Sequence, residues 1–423
     1  METQEITLHN ELKRKSIFLR DYTTELYASG ATTIRIEKNL GRIAEQWDTK
    51  ADFSVLPTCI VLNLWDKKEE KSYTITGKIP ADRINFNTVS DLSGLSWKIV
   101  EEGLDEAQAT ELFKSIIEKK RLNPWLVLIL VGLANASFCE LFGGDLISML
   151  IVFIATIDGF FLKQKLPAKG LDYRIVIILS SCLSAVVACL GFVFGWGGNS
   201  RDRPRYQCPL LRTGNTVLQC CMRSSLRSLH LLHQPVPARC DDYGLPVSRT
   251  LHCFRVDEYS IFIMELFFLI IKDGIFAAIA AIGFSSISNP SPRVFPLCAS
   301  IAAAGHMTRY VLMNIYGFQL TVGSMLGALV IGFLALPAAK IIKTPAECIS
   351  FPALLPMVPG MYAYRTIQSL LHCLGSFSEP TFMHYLYLLR FNWMTCMVTI
   401  IAMVVGVMLP ILLFQNFSFK VTK

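Results

Sequence analysis

Between Pro124 and Leu162 the chain carries two long apolar runs separated only by Leu141-Phe-Gly-Gly-Asp145. Each run has about the 20 residues that a helix needs to cross the hydrocarbon core of a bilayer. A backbone group left unpaired in lipid costs several kcal/mol, so the Gly143-Gly144 break belongs at or near a membrane surface and the two runs form a helical hairpin. That pairing fixes the class of fold: an α-helical multi-pass membrane protein with a small N-terminal α/β domain ahead of the hairpin. Hydrophobic residues at 52% against 17% charged, with a mean hydropathy of +0.43, agree and argue against an ordinary soluble enzyme.

Residues 1–122 read as a wet head. Met1-Glu-Thr-Gln-Glu is acidic and no signal-type apolar core precedes the hairpin, so the N-terminus is expected to stay in the cytoplasm. Helical spacing over 9–29 ends at Gly30. A second helix is expected to bury Ile34, Ile36, Leu40, Ile43 and Trp47 and to keep Arg35, Glu37, Lys38 and Arg42 wet. Residues 52–64 turn strand-like, with an interruption at Pro57-Thr58-Cys59, and Ser72–Ile79 is the return strand after a charged turn. Two helices follow, the later one opened by Asp105 with Gln108 three positions on, a capping box.

Thr32, Arg35, Glu37 and Thr58 are the head's candidate ligand-binding residues. The alternative is that the threonines cap a helix and Arg35 pairs on a wet face. With no Gly-rich phosphate loop, no His/Cys metal spacing and only His9 before His230, no metal, cofactor or catalytic residue is expected here. A regulatory or sensing head fits better.

The first membrane half, 123–196, adds a third span over Ile175–Trp196. Its carboxylates are Glu140, Asp145 and Asp158, candidates for proton coupling because a charge inside a span is costly. Glu140 leads them, with small Gly132, Ala134 and Ala136 beside it. Lys163, Lys165, Lys169 and Arg174 mark the following loop as cytoplasmic.

Gly30-Ala-Thr-Thr-Ile-Arg-Ile-Glu37, the strand with Pro57-Thr58, and Gly132-Leu-Ala-Asn-Ala-Ser-Phe138 followed by Leu141-Phe-Gly-Gly144 together resemble the threonine/serine exporter family. The resemblance implies a cytoplasmic head and about ten spans, on one chain or split over two.

From Gly197 to Arg255 the composition changes abruptly. Nine Arg stand with no Lys, Ile or Glu, and five of the 13 Cys and three of the seven His fall here. A nucleic-acid arm would mix Lys with Arg, and a disulfide module would need an even cysteine count, so neither is expected. A reading-frame error explains the stretch better. Read from the second base of each codon, the genetic code permits Pro-Gly at Thr213-Gly214, then Asn at Gln219, Asp at Arg223 and Gly at Arg227. That series is similar to the family's fourth and fifth spans. As written, 197–255 is expected to be poorly ordered and not to insert as two clean spans.

The second membrane half, 256–423, holds about five spans, including 266–287, 294–316, 320–341 and 391–414. Lys272 and Asp273 are expected to pair with each other or with water, and Lys340 and Lys343 mark a cytoplasmic end. Phe351-Pro-Ala-Leu-Leu-Pro-Met-Val-Pro-Gly-Met-Tyr-Ala-Tyr-Arg365 cannot form one regular helix, since each proline removes a donor and clashes with the preceding turn. Transporters present such broken backbone to a substrate at mid-membrane; a mere kink is the alternative. Tyr362, Tyr364 and Arg365 are candidate partners for a substrate carboxylate. Resemblance to the family's proline-glycine motif adds Pro356, Pro359 and Gly360.

The expectation is an exporter of small amino acids, threonine or serine, in the cell membrane and driven by protons. It binds Pro359, Gly360, Tyr364 and Arg365 to a small-molecule substrate, needs no cofactor, contacts lipid and no nucleic acid, and assembles as a homo-oligomer through its small-residue faces. Export of a dicarboxylate such as succinate is the nearest alternative; a membrane-anchored enzyme or sensor acting through the head is another.

Overall fold

A computed structural model describes residues 2–66, 71–80, 84–193, 247–376 and 378–414. The greater part of the Arg-rich stretch, 197–246, lies outside the described residues, and so does the expectation placed on it. Residues 247–255 open a long helix.

The head is built from α1 (Glu2–Ala28), α2 (Thr33–Gln46), a three-stranded antiparallel meander of β1 (Thr49–Val55), β2 (Cys59–Asp66) and β3 (Ser72–Lys78), then α3 (Phe86–Glu102) and α4 (Glu106–Ile117). Gly30, at φ +97°, stops the first helix as its sequence position suggests. The central strand alternates, and Ile60, Leu62 and Leu64 are the buried set. Register is fixed by that set: Leu62 stands opposite Phe53 on one side and Ile75 on the other. Leu19, Tyr22 and Leu26 of α1, with Ile36, Leu40 and Ile43 of α2 and Leu92 and Ile99 of α3, complete the core. Asp105 accepts from the Gln108 amide at 2.8 Å while the Gln108 side chain accepts from the Asp105 amide at 3.2 Å, so the capping box is formed.

Two sequence expectations fail on α2. Ile34 is 39% exposed, and Arg35, expected to be wet, is buried with only 2% of its surface accessible. The helix presents Arg35 to the membrane half rather than to water.

The hairpin is α5 (Pro124–Leu141) and α6 (Leu146–Lys165), joined where Gly143 takes φ +80°. Next come α7 (Tyr173–Val193), α8 (Val247–Ile287), α9 (Val294–Asn314), α10 (Leu320–Ile342), α11 (Ala346–Leu354), α12 (Gly360–Leu374) and α13 (Glu379–Leu413). Among the described residues six helical segments are long and apolar enough to cross a membrane, in α5, α6, α7, α8, α10 and α13. Helix α9, read from the sequence as a span, is not one of them; His306, Thr308, Arg309 and Asn314 lower its hydropathy. The last helix starts at Glu379, well before the expected Phe391. The second core combines alanines, Ala302, Ala328, Ala335, Ala339, Ala346 and Ala353 of α9, α10 and α11, with larger residues such as Ile331, Ile349 and, from α13, Met403 and Val407.

Head and membrane half meet at a polar joint. Asn289, in the left-handed conformation at φ +47°, donates to Asn85 at 2.8 Å and accepts from the Leu122 amide at 2.9 Å. The Phe86 amide donates to the Ser288 carbonyl at 2.9 Å. Beside it Arg35 donates to Glu347 of α11 at 2.8 Å, and Cys348 joins the head's core.

Candidate functional site

The joint sets the depth of everything else, because α5 and α9 start there and α8 ends there. At about 1.5 Å per residue, His306 lies about 18 Å along α9 from the joint, and Asp273 about 21 Å back along α8. Both lie well inside the helical bundle, away from the head.

Three polar side chains converge there. His306 Nδ1 is 2.5 Å from Asp273 Oδ2, and Arg309 Nη2 is 2.6 Å from His306 Nε2. Arg309 also donates through Nη1 to the Met357 carbonyl at 2.9 Å. His306 is buried, whereas Asp273 and Arg309 are half-buried. A guanidinium has only donors, so Nε2 is the acceptor and Nδ1–H is the donor to the carboxylate. The approach of α9 to α10 here depends on glycine: a Cβ on Gly327 would lie 2.8 Å from the Gly305 carbonyl oxygen and 3.3 Å from Arg309 Cβ. Beside this cluster Lys272 pairs with Glu140 of α5. The sequence expectation for Lys272 and Asp273 is thereby corrected: side by side on α8, they turn to different helices instead of to each other.

Met357 belongs to the broken segment. Helix α11 is nine residues long, a 3-10 turn covers Leu355–Met357, and α12 begins only at Gly360. Pro352 is accommodated inside α11; the interruption falls at Val358-Pro359, where Pro359 has ψ 55°. The Gly360 amide donates back to the Val358 carbonyl at 2.8 Å, and Cys396 Sγ of α13 lies 3.9 Å from the Pro359 carbonyl. Pro359 and Gly360 thus sit at the break and are brought near the charged cluster through Met357.

The other expected residues scatter. Arg365 is half-buried on α12 and Tyr364 is 39% exposed. Glu140 is the partner of Lys272, Asp145 caps α6 by accepting from the Ser148 amide at 3.1 Å, and Asp158 is exposed. In the head, Thr32 holds the N-cap position of α2 without a side-chain cap bond, Glu37 is exposed, and Thr58 is exposed in the turn between β1 and β2. Arg35 serves the joint. Of the four head candidates only Arg35 is buried, and its partner Glu347 comes from α11. Nearby, Tyr22 is fully buried and donates to the Leu92 carbonyl at 2.8 Å; burial raises its phenol well above the ordinary value, although Asn39 donates to it at 3.1 Å. Among the described residues no cluster of three or more His, Cys, Asp or Glu could hold a metal ion.

His306 and Arg309 are absent from the sequence reading of the site. The signal was there: Gly305-His-Met-Thr-Arg309 puts a histidine and an arginine three apart, hence on one helix face, inside a small-residue run.

Residues 21–207 match the threonine/serine exporter family profile ThrE. Residues 273–413 match a second profile, described as "Threonine/Serine exporter, ThrE". The chain belongs to the threonine/serine exporter family. Members of this family are transporters, and this one is a membrane protein. Neither profile reaches 208–272, which contains most of the Arg-rich stretch. An uncharacterized protein of Haemophilus influenzae is 31% identical over 159 residues, 37% of this chain and 50% of that protein. The chain therefore aligns with about half the length of that curated relative. No solved structure matches.

Proposed function

We propose that this exporter-family chain carries threonine and serine out of the cell across the cell membrane, driven by the proton gradient, with its head in the cytoplasm. The observation that supports it most is the meeting of a broken helix with a carboxylate and a guanidinium inside the helical bundle. An amino acid is a zwitterion, and it needs an anionic group for its ammonium and donors for its carboxylate. Asp273 and Arg309 supply one of each, and the Val358-Pro359-Gly360 break supplies backbone groups. Tyr364 and Arg365, on the helix that leaves the break, extend the substrate path. Succinate, the alternative cargo, would draw on a second cation, for which Lys272, itself paired with Glu140, is the candidate.

Efflux from cells loaded with labelled threonine, serine or succinate tests the reading. The chain and its frame-restored counterpart would be expressed beside an empty vector. Accelerated threonine and serine loss that Arg309→Ala abolishes supports it. Loss of succinate alone moves the protein to dicarboxylates, and no flux of any of the three returns attention to a sensing or enzymatic head. Normal export by Arg365→Ala removes that residue from the substrate path.

A further inference from the structure

Arg309 keeps its proton throughout the physiological range, so its contact with His306 requires a lone pair on Nε2. With Nδ1–H donating to Asp273, every polar atom of the imidazole is engaged, in its neutral form only. A proton placed on Nε2 would set N–H against N–H and cation against cation. Arg309 Nη2 would lose its acceptor and be repelled, and Arg309 also ties α9 to the broken segment through the Met357 carbonyl.

Building on the export reading, we propose that His306 is the proton-binding site of this carrier and that its protonation releases Arg309 from the break at Leu355–Gly360. The proton adds to Nε2; only hydrogen bonds are exchanged, and Asp273 accepts from Nδ1–H before and after. The Pro356 carbonyl also lies beside the ring. Among the described residues the charged or titratable groups facing the imidazole are Asp273 from α8 and, from its own helix, Arg309 with Tyr310. Lys272 is turned to Glu140, Glu347 of α11 to Arg35, and α10 presents Gly327. His306 is a positioning residue for Arg309, and its role differs from that of a carboxylate relay through Glu140 or Asp158.

Cys396 reports on the break, because its thiol is buried against the Pro359 carbonyl. The full chain in proteoliposomes is treated with a small maleimide from about pH 8 down to about pH 5.5, a range that brackets an ordinary imidazole. Peptide mass spectrometry gives the labelling of Cys396 relative to Cys59 in the head. Only the thiolate reacts, so acid by itself slows both cysteines. The proposal expects the Cys396/Cys59 ratio to rise several-fold on acidification. In His306→Gln, whose amide can accept from Arg309 and donate to Asp273 at every pH, the ratio stays flat and low. Arg309→Gln, which lacks the latch, should give a high ratio at both ends of the range, and that outcome separates release from misfolding of the histidine variant. A ratio in the native chain that does not change with pH, or a rise that survives in His306→Gln, overturns the proposal. The readout needs no solute flux: failure to move threonine or serine would sink the substrate reading while the labelling still decides the proton site.

Discussion

Two buried charge clusters hold this molecule together, and they differ in kind. At the joint, Arg35 and Glu347 form an ion pair, and the neighbouring Asn85 and Asn289 are neutral amides. Deep in the bundle, Asp273 and Arg309 are separated by an imidazole, the one side chain whose ordinary titration falls between pH 5 and 8. The first cluster is built to stay closed. In the proposal above a proton rearranges the second, which bears on a break in the helix rather than on a packed domain face.

The largest effect expected is at the joint. Glu347→Ala removes the partner that α11 gives the buried Arg35 charge and should cost up to about 3–5 kcal/mol. Denaturation of the full chain in detergent would measure it. The double variant Arg35→Met/Glu347→Met should recover most of that loss, since an apolar pair of similar volume can replace a buried ion pair. The comparison breaks if the double variant is as unstable as the single one, or if the recovered protein has lost export.

Gly327→Ala comes next, at about 1–3 kcal/mol, because its methyl would meet the Gly305 carbonyl, Met357 and Arg309 together. Its distinguishing mark is functional: the Cys396/Cys59 labelling ratio should rise at neutral pH, as it does in Arg309→Gln. A fall in stability with unchanged labelling would detach the glycine seam from the latch.

Tyr22→Phe should cost about 1 kcal/mol in the head through the bonds to Leu92 and Asn39. The folded phenol titrates above the unfolded one, so its contribution is fully present below about pH 10 and is lost as pH rises beyond that. Stability of the native chain should therefore fall on the alkaline side, and Tyr22→Phe should flatten that fall. An unchanged slope would remove Tyr22 as its source. Smallest of all is Asp158→Asn, an exposed change expected within about 0.5 kcal/mol and without effect on efflux. Loss of proton-driven export in that variant would restore a coupling role for the α6 carboxylate.

Much of the fold was legible because short-range physics wrote it. Gly30 stops a helix, Asp105 and Gln108 cap one, Gly143 turns a hairpin, and the alternation of Ile60, Leu62 and Leu64 gives β2 its face. The site was legible only in part. Three prolines and a glycine announced the break between 351 and 365, since the loss of backbone donors is local chemistry. The partners of its charged neighbours were not local. Lys272 and Asp273 are adjacent, yet one reaches Glu140, 132 positions earlier by number, and the other His306, 33 positions later. Arg35, next to Thr32 and Glu37 in sequence, likewise takes its partner Glu347 from α11.

By itself the sequence determined the helical membrane class, the wet head, the hairpin and the interrupted helix, because hydropathy, capping and proline act within a few residues. Tertiary structure alone decided that Arg35 would be buried against a helix 312 positions away, and that an Asp, a His and an Arg would line up on the Met357 carbonyl. Burying a charge is costly enough that each must find a partner, but the choice of partner depends on which small-residue faces let the helices close.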